Sequence, residues 1–427
     1  MEDTRYFRKG LGNREDVAES LTNDYHSGIV DYLMAHGHAL RHGDTEVRLA
    51  REFGFCYGVE RAVEYAYETR ERFPDRAIWI TGEIIHNPGV NRRLQEMGIR
   101  FLPPRSAGAD RLDVVGPQDV VLIPAFGVEH ADFLRLIERG SILVDTTCGS
   151  VLTVWKSVEK YARNGVTTVI HGKVDHEETL ATCSQVRKYP GAHYVVVRDL
   201  EEAGWICEFV EGVLSGTELT RRLAGACSEG FRPERDLRRI GLANQTTMLS
   251  AESLQIASLL RAALARRLDE SALAEAFHSF DTICSATQDR QDAVAELIRG
   301  GCDLMLVLGG FNSSNTTHLV EIAAQSVRTY HIEDADNLIS PVWIRHQRLH
   351  ESSAVLEEGW LPSGPLSLCM TAGASTPNSE IGRSVARLLA FRGVPEEMIR
   401  ELAAEGTRVA QAGRALRPEP PASRPAE

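Results

Sequence analysis

The residues with the clearest capacity for chemistry are three cysteines in related settings. The string Asp145-Thr146-Thr147-Cys148 is nearly repeated as Asp281-Thr282-Ile283-Cys284, and Cys56 stands in Gly-Phe-Cys-Tyr-Gly-Val-Glu. Each cysteine opens a stretch with helical patterning, where the positive end of the peptide dipole favours thiolate over thiol. Thiolates are what iron binds. The wide spacing excludes a local zinc knuckle of the CxxC kind. Three cysteines instead of four would leave one iron of a four-iron cluster without a protein ligand, free to take a substrate oxygen. The plainer alternative is three unrelated buried thiols, since free cysteine is among the most buried residue types. That plainer reading also serves for Cys183, Cys207, Cys227, Cys302 and Cys369, which share no motif. The Asp and Thr before Cys148 and Cys284 are expected to bond local backbone and fix the turn.

Three polar loops form a second set. In "GGFNSSNTTHL", Gly309 and Gly310 free the backbone, and Ser313, Ser314 and Asn315 offer donors beside helix N–H groups. This suits a phosphate or diphosphate; an ordinary N-cap cluster is the alternative. "TAGASTPNSEIG" repeats the theme with Thr371, Ser375 and Asn378, and "LANQTTMLS" with Gln245, Thr246 and Thr247. Together they suggest a polar pocket for a phosphorylated ligand. "IHGKVDHEET" carries His171, His176, Glu177 and Glu178, which could bind metal or move protons. A carboxyl near thiolates and phosphate has its pKa pushed up and suits a proton donor. An acidic first helical turn is the alternative. His86, in "EIIHNPG", occupies another strand-to-helix loop, where a lone histidine can equally be polar surface.

Those loops need a scaffold. Short apolar runs ("AIWITGEII", "DVVLIPAFG", "SILVD", "TTVIHGK", "AHYVVVRD", "DLMLVLGG") alternate with helical patterns. The rhythm predicts an α/β fold with mainly parallel sheets, whose ligands sit at the carboxyl ends of strands. Three similar α/β lobes are expected to send one cysteine loop each to a shared centre. The expected divisions are an N-terminal extension 1–46, lobes 47–147, 148–283 (with a charged insertion near 201–240) and 284–392, then a C-terminal helix and disordered tail over 393–427.

The chain has 427 residues, is 43% hydrophobic and carries a net charge of -13. That acidity speaks against nucleic acid or an anionic membrane as partner, and an anionic substrate must meet local neutral donors. No apolar leader and no run of ~18 apolar residues is present, so a cytoplasmic protein without membrane spans is expected. Eight cysteines in a reducing compartment point to metal binding or catalysis before a disulfide framework.

Taken in order, "GFCYGVERAV", "EIIHNPGVNRRL", "PAFGVE", "VDTTC", "HGKVDHEET", "NQTTML", "DTICSATQDRQDAV", "GGFNSSNTTHL" and "TAGASTP" resemble one family, the 4-hydroxy-3-methylbut-2-enyl diphosphate reductases, in their longer plant and cyanobacterial form. The resemblance implies three α/β lobes around a central [4Fe-4S] cluster with Cys56, Cys148 and Cys284 as ligands and one open iron. It implies diphosphate binding by His86, His176, Ser313, Ser314, Asn315 and Ser375, and proton relay by Glu178 with Thr246, which also contacts substrate. The implied reaction is reductive dehydroxylation to isopentenyl and dimethylallyl diphosphate, the last step of the non-mevalonate isoprenoid pathway. Ferredoxin or flavodoxin is the implied electron donor, with residues 232–239, "RPERDLRR", as a docking patch or simply a solvated charged surface. Two departures stand out. Phe126 occupies the segment where the shorter bacterial form has a histidine, and Gly149-Ser150 follows Cys148 where the plant-like form has proline. Two other functions remain open: a metal-dependent hydrolase using His176 and Glu178 on a divalent ion, and a non-catalytic cluster-binding sensor.

Overall fold

A computed structural model describes residues 5–103, 110–280 and 282–415. The chain forms two compact units, one from Met1–Glu19 and Cys56–Asp289, the other from Ser20–Phe55 and Arg290–Glu427.

The first unit contains two all-parallel sheets. One runs Tyr6–Phe7, Ile142–Asp145, Val120–Ile123, Ile78–Ile80, Ile99–Phe101 across its width. The other runs Phe277–Ser279, Ile240–Asn244, Thr167–His171, Tyr194–Val197. Their central strands, such as VVLI at 120–123 and TTVIH at 167–171, are buried at every position. Helices cover both faces of a parallel sheet, so its strands read as unbroken apolar runs instead of alternating ones.

The second unit is built on a seven-stranded sheet, in the order Ala354–Glu358, Trp343–Gln347, Thr329–Ile332, Leu304–Leu308, Leu366–Ala372, Thr45–Leu49, Ala39–His42. Its four middle strands are parallel, and antiparallel strands are added at both edges.

The α/β class with mainly parallel sheets is as expected, and the details differ in three places. The described part of the 1–46 extension, residues 5–46, supplies strands to the sheets. Tyr6–Phe7 pairs with Ile142–Asp145, and Ala39–His42 pairs with Thr45–Leu49 in the sheet of the second unit, so the expected boundary at 47 falls inside a strand. The charged insertion near 201–240 folds into helices Leu200–Val210, Gly216–Arg222 and Pro233–Asp236, and Ile206, Val210, Leu219, Leu223 and Leu237 join the core beneath the second sheet. Charge on an amphipathic helix marks only its outer face. The run "AIWITGEII" yields a strand only over Ile78–Ile80. The C-terminal helix spans Glu396–Ala415; the tail beyond it, and Asp281, lie outside the described residues. Among the described residues no helix is long and apolar enough to cross a membrane.

Candidate active site

In the first unit the chemistry-bearing residues all follow the carboxyl ends of parallel strands. Cys148 is the N-cap of helix Gly149–Arg163, reached directly from strand Ile142–Asp145, and its thiol makes no capping bond. The turn is fixed as expected. Asp145 Oδ1 accepts from the Thr147 N–H at 2.9 Å and from its hydroxyl at 2.5 Å, while Thr146 donates to the Ile123 carbonyl at 2.6 Å. Tyr6, from the N-terminal strand, donates to Asp145 Oδ2 at 2.5 Å. Around Cys284 the pattern is looser: Thr282 Oγ1 accepts from the Asn244 N–H at 2.8 Å, and the Cys284 N–H reaches the Thr246 carbonyl at 3.3 Å.

Cys56 caps helix Tyr57–Arg72, again without using its thiol. Gly58, two residues on, sets the approach of this helix to Cys148. A Cβ there would stand 2.6 Å from Cys148 Sγ and 4.0 Å from Cys56 Sγ, so both sulfurs crowd one small space. All three thiols are partly exposed. Burial pushes the Cys284 thiol up to about 11, against a hydrogen bond from Thr287 Oγ1 at 3.0 Å. Burial also raises Cys148, against hydrogen bonds from the Ser150 N–H and hydroxyl. The helix dipole therefore does not by itself ionise these two thiols, contrary to the sequence expectation; desolvation wins. A bound metal reverses that balance, because a coordinating thiol is deprotonated outright.

The donor set fits an iron–sulfur cluster. Cysteine sulfurs from separate loops suit a cluster whose ligands bind different irons. Among the described residues no group of three or more His, Cys, Asp or Glu is set to hold a single metal ion. The Gly149-Ser150 departure is accommodated: nothing lies within 4 Å of a Cβ at Gly149, and Ser150 bonds the sulfur.

The histidines and acid of the second cluster lie together. His176 caps helix Glu177–Arg187, its Nδ1 accepting from the Glu178 N–H at 3.1 Å. His176 Nε2 is 3.2 Å from His86 Nε2, and His86 Nδ1 is 2.8 Å from Glu83 Oε2. One proton arrangement satisfies this chain. His176, with Nδ1 accepting, carries its proton on Nε2 and donates to His86, which then donates from Nδ1 to the Glu83 carboxylate. Burial holds His176 well below the ordinary histidine range, so it is neutral. Phe126 stacks on His86 with ring centroids 4.3 Å apart and meets His176 edge-on at 5.7 Å. The residue that departs from the shorter form thus packs the two imidazoles in place.

Glu178 is 1% exposed. Its Oε1 accepts from the Thr246 N–H at 2.7 Å and its Oε2 from the Thr246 hydroxyl at 2.9 Å. Burial raises its pKa to about 7, with the Thr246 bonds and nearby His86 pulling the other way. Its charge is near enough to Cys148 and Cys284 to raise both thiols. His171 stands apart, buried and bonded to Ser253 Oγ at 2.7 Å.

The second unit holds the remaining polar loops. Ser313 caps helix Ser314–Ala324, and Ser314, Asn315 and Ser375 are all buried. Asn315 Oδ1 accepts from the Ala374 N–H at 2.9 Å, joining the Ser313 and Ser375 loops. Its Nδ2 is buried without a partner, a donor left for a ligand. The loops meet at Thr316: a Cβ at Gly373 would stand 2.0 Å from its hydroxyl oxygen, and one at Gly309 (φ +149) 2.4 Å. Only glycine fits either place.

Sequence reasoning passed over Glu83, Thr287, Gly58 and Tyr6. Gly58 lies two residues after a cysteine in a quoted motif, but its role depends on a contact with a loop far along the chain.

The LytB protein family matches residues 47–389. A 4-hydroxy-3-methylbut-2-enyl diphosphate reductase of Gloeobacter violaceus is 45% identical over 93% of this chain and 95% of its own length. One from a Synechococcus species is 46% identical over 90% and 95%. A solved (E)-4-hydroxy-3-methyl-but-2-enyl diphosphate reductase, the terminal enzyme of the non-mevalonate pathway, matches with a TM-score of 0.50 at 26% identity, over 81% of this chain and 99% of that one. The E-1-hydroxy-2-methyl-but-2-enyl-4-diphosphate reductase of Plasmodium falciparum shares the fold, with a TM-score of 0.58 at 21% identity, over 79% of this chain and 86% of that one. The chain belongs to the LytB family of 4-hydroxy-3-methylbut-2-enyl diphosphate reductases.

Proposed function

We propose that this chain carries out the family's reductive dehydroxylation, with 4-hydroxy-3-methylbut-2-enyl diphosphate taking up two electrons and two protons to give isopentenyl or dimethylallyl diphosphate and water. The observation that carries the reading is Glu178, a buried carboxyl with a pKa near 7 placed among the cysteine loops. Cys56, Cys148 and Cys284 would hold a [4Fe-4S] cluster with one iron free of protein ligands, which supplies Lewis acidity toward the substrate hydroxyl and passes electrons singly.

The protein's own groups do the rest. Near neutral pH the protonated form of Glu178 carries its hydrogen on Oε2, because Oε1 accepts the Thr246 N–H; the bond at Oε2 then reverses, Oε2–H donating to Thr246 Oγ1, so the threonine hydroxyl can turn and hand its own hydrogen onward to the leaving oxygen. Ser313, Ser314, Asn315, Ser375, His86 and His176 are the proposed diphosphate donors. The serine hydroxyls and the Asn315 amide are neutral donors, and burial keeps His176 neutral, which matches the acidity of the chain. Anchoring the diphosphate orients the far end of the substrate without reacting at its ester bond.

The hydrolase alternative fares poorly. Both Glu178 oxygens are engaged by Thr246, and His176 Nδ1 by a backbone N–H, so their lone pairs do not converge on one ion. For the electron donor we propose ferredoxin or flavodoxin. Residues 232–239 offer such a partner little. Arg235 pairs with Asp236 at 2.6 Å, and Arg238 and Arg239 bond backbone carbonyls.

The test is oxidation of a reduced dye by anaerobically purified protein on addition of the substrate. Substrate-dependent oxidation that disappears in Cys284→Ser is expected. A cluster-loaded protein that consumes no electrons would leave the sensor function standing, and a protein that takes up no iron would overturn the reading.

A further inference from the structure

Away from these residues, two cysteines without a shared motif meet on one face of the seven-stranded sheet. Cys369 lies in strand Leu366–Ala372 and is fully buried; Cys302 precedes strand Leu304–Leu308, is partly exposed, and packs on the same apolar cluster. The two thiols are within hydrogen-bonding reach of each other. Strand register adds a cation: Arg48 is the cross-strand neighbour of Cys369, and its Nη2 stands 3.3 Å from Cys369 Sγ. Arg48 Nη1 is anchored on the Gly300 carbonyl at 3.0 Å.

This setting is unlike that of the other thiols outside the cysteine loops. Burial pushes Cys183 up to about 12, and Cys207 and Cys227 up to about 11. Cys369 instead moves down, through the Cys302 hydrogen bond and the guanidinium, while Cys302 moves up. The guanidinium and the shared hydrogen bond therefore favour the thiolate on Cys369 over one on Cys302. Arg48 also lines a cavity of about 200 Å³ with His38, Arg51, Glu296 and Gly300, large enough for a small oxidant.

We propose that Cys302 and Cys369 are a redox-active dithiol that closes to a disulfide when hydrogen peroxide enters beside Arg48. The Cys369 thiolate attacks one peroxide oxygen, the O–O bond breaks, and the departing hydroxide takes up through solvent the proton that Cys369 released on ionising, giving water. The Cys302 sulfur then attacks the resulting sulfenic acid; the S–S bond forms, and the sulfenic hydroxyl leaves with the Cys302 proton as a second water. Two electrons and two thiol hydrogens pass to one peroxide. The strands so joined carry the Ser313 and Ser375 loops at their far ends.

The full-length, cluster-loaded protein is treated anaerobically with one equivalent of hydrogen peroxide, quenched in acid, alkylated and digested for mass spectrometry. A linked peptide pair containing Cys302 and Cys369, lighter by two hydrogens, is expected. Arg48→Met should slow its formation roughly tenfold by removing the charge that favours the thiolate. Cys302→Ser, a change at a partly exposed site, should leave Cys369 as a sulfenic acid that a dimedone probe captures. Full alkylation of both thiols after peroxide, or an unchanged rate in Arg48→Met, would overturn the proposal. None of these readouts depends on turnover.

Discussion

Thr246 binds both oxygens of the Glu178 carboxyl, through its N–H at 2.7 Å and its hydroxyl at 2.9 Å, inside a site with almost no solvent. These bonds favour the carboxylate, yet the pKa stands near 7 because desolvation outweighs them. Glu178 can therefore be proton donor and orienting acceptor within the same pH range.

Glu178→Gln keeps the shape and loses the acid. Turnover should fall by about 10²-fold or more, the usual share of a positioned proton donor. Iron content and KM should stay close to the parent values in anaerobic assays.

The same group makes stability depend on pH. Its folded pKa of about 7 lies above the usual 4.5, so the folded protein binds more protons between those values. The stability it contributes is full below about pH 4.5 and is lost as pH rises through 7. Denaturation of the parent and of Glu178→Gln should diverge in favour of the variant by about 3 kcal/mol across that window. A constant difference would contradict the shift.

Gly58→Ala places a Cβ 2.6 Å from Cys148 Sγ, whereas Gly149→Ala meets open space. The first should lose most iron and the visible absorbance of the cluster while retaining helix content. The second should match the parent in both.

Phe126→Leu removes the flat stack on His86, worth about 1 kcal/mol. KM for the diphosphate should rise severalfold, with kcat less affected, if the two imidazoles must be held to meet the anion.

Asn315→Asp exchanges the partnerless buried Nδ2 donor for an oxygen, adding negative charge where an anion is proposed to bind. KM should rise by roughly 10²-fold from the lost charged hydrogen bond and the repulsion together, with iron content unchanged.

The sequence made the parallel α/β scaffold readable because buried strands such as Ile142–Asp145 are unbroken apolar runs. The D-T-T-C turn was equally readable, since Asp145 and Thr147 bond within a few residues. What escaped it depends on contacts distant in the chain. Tyr6 reaches Asp145 across sheet pairing, Glu83 orients His86 only once the loop is folded, and Ala39–His42 joins a sheet whose other strands begin at residue 45 and beyond 300. Local polarity also misled: the charge of 201–240 hid a set of core-packing helices.

The most direct test is the infrared spectrum of the Glu178 carboxyl, taken as the difference between parent and Glu178→Gln protein over a pH titration. A protonated-acid band present at pH 6 and fading around pH 7 is the expected result. Its absence at pH 6, with only carboxylate present, would contradict Glu178 as the proton source.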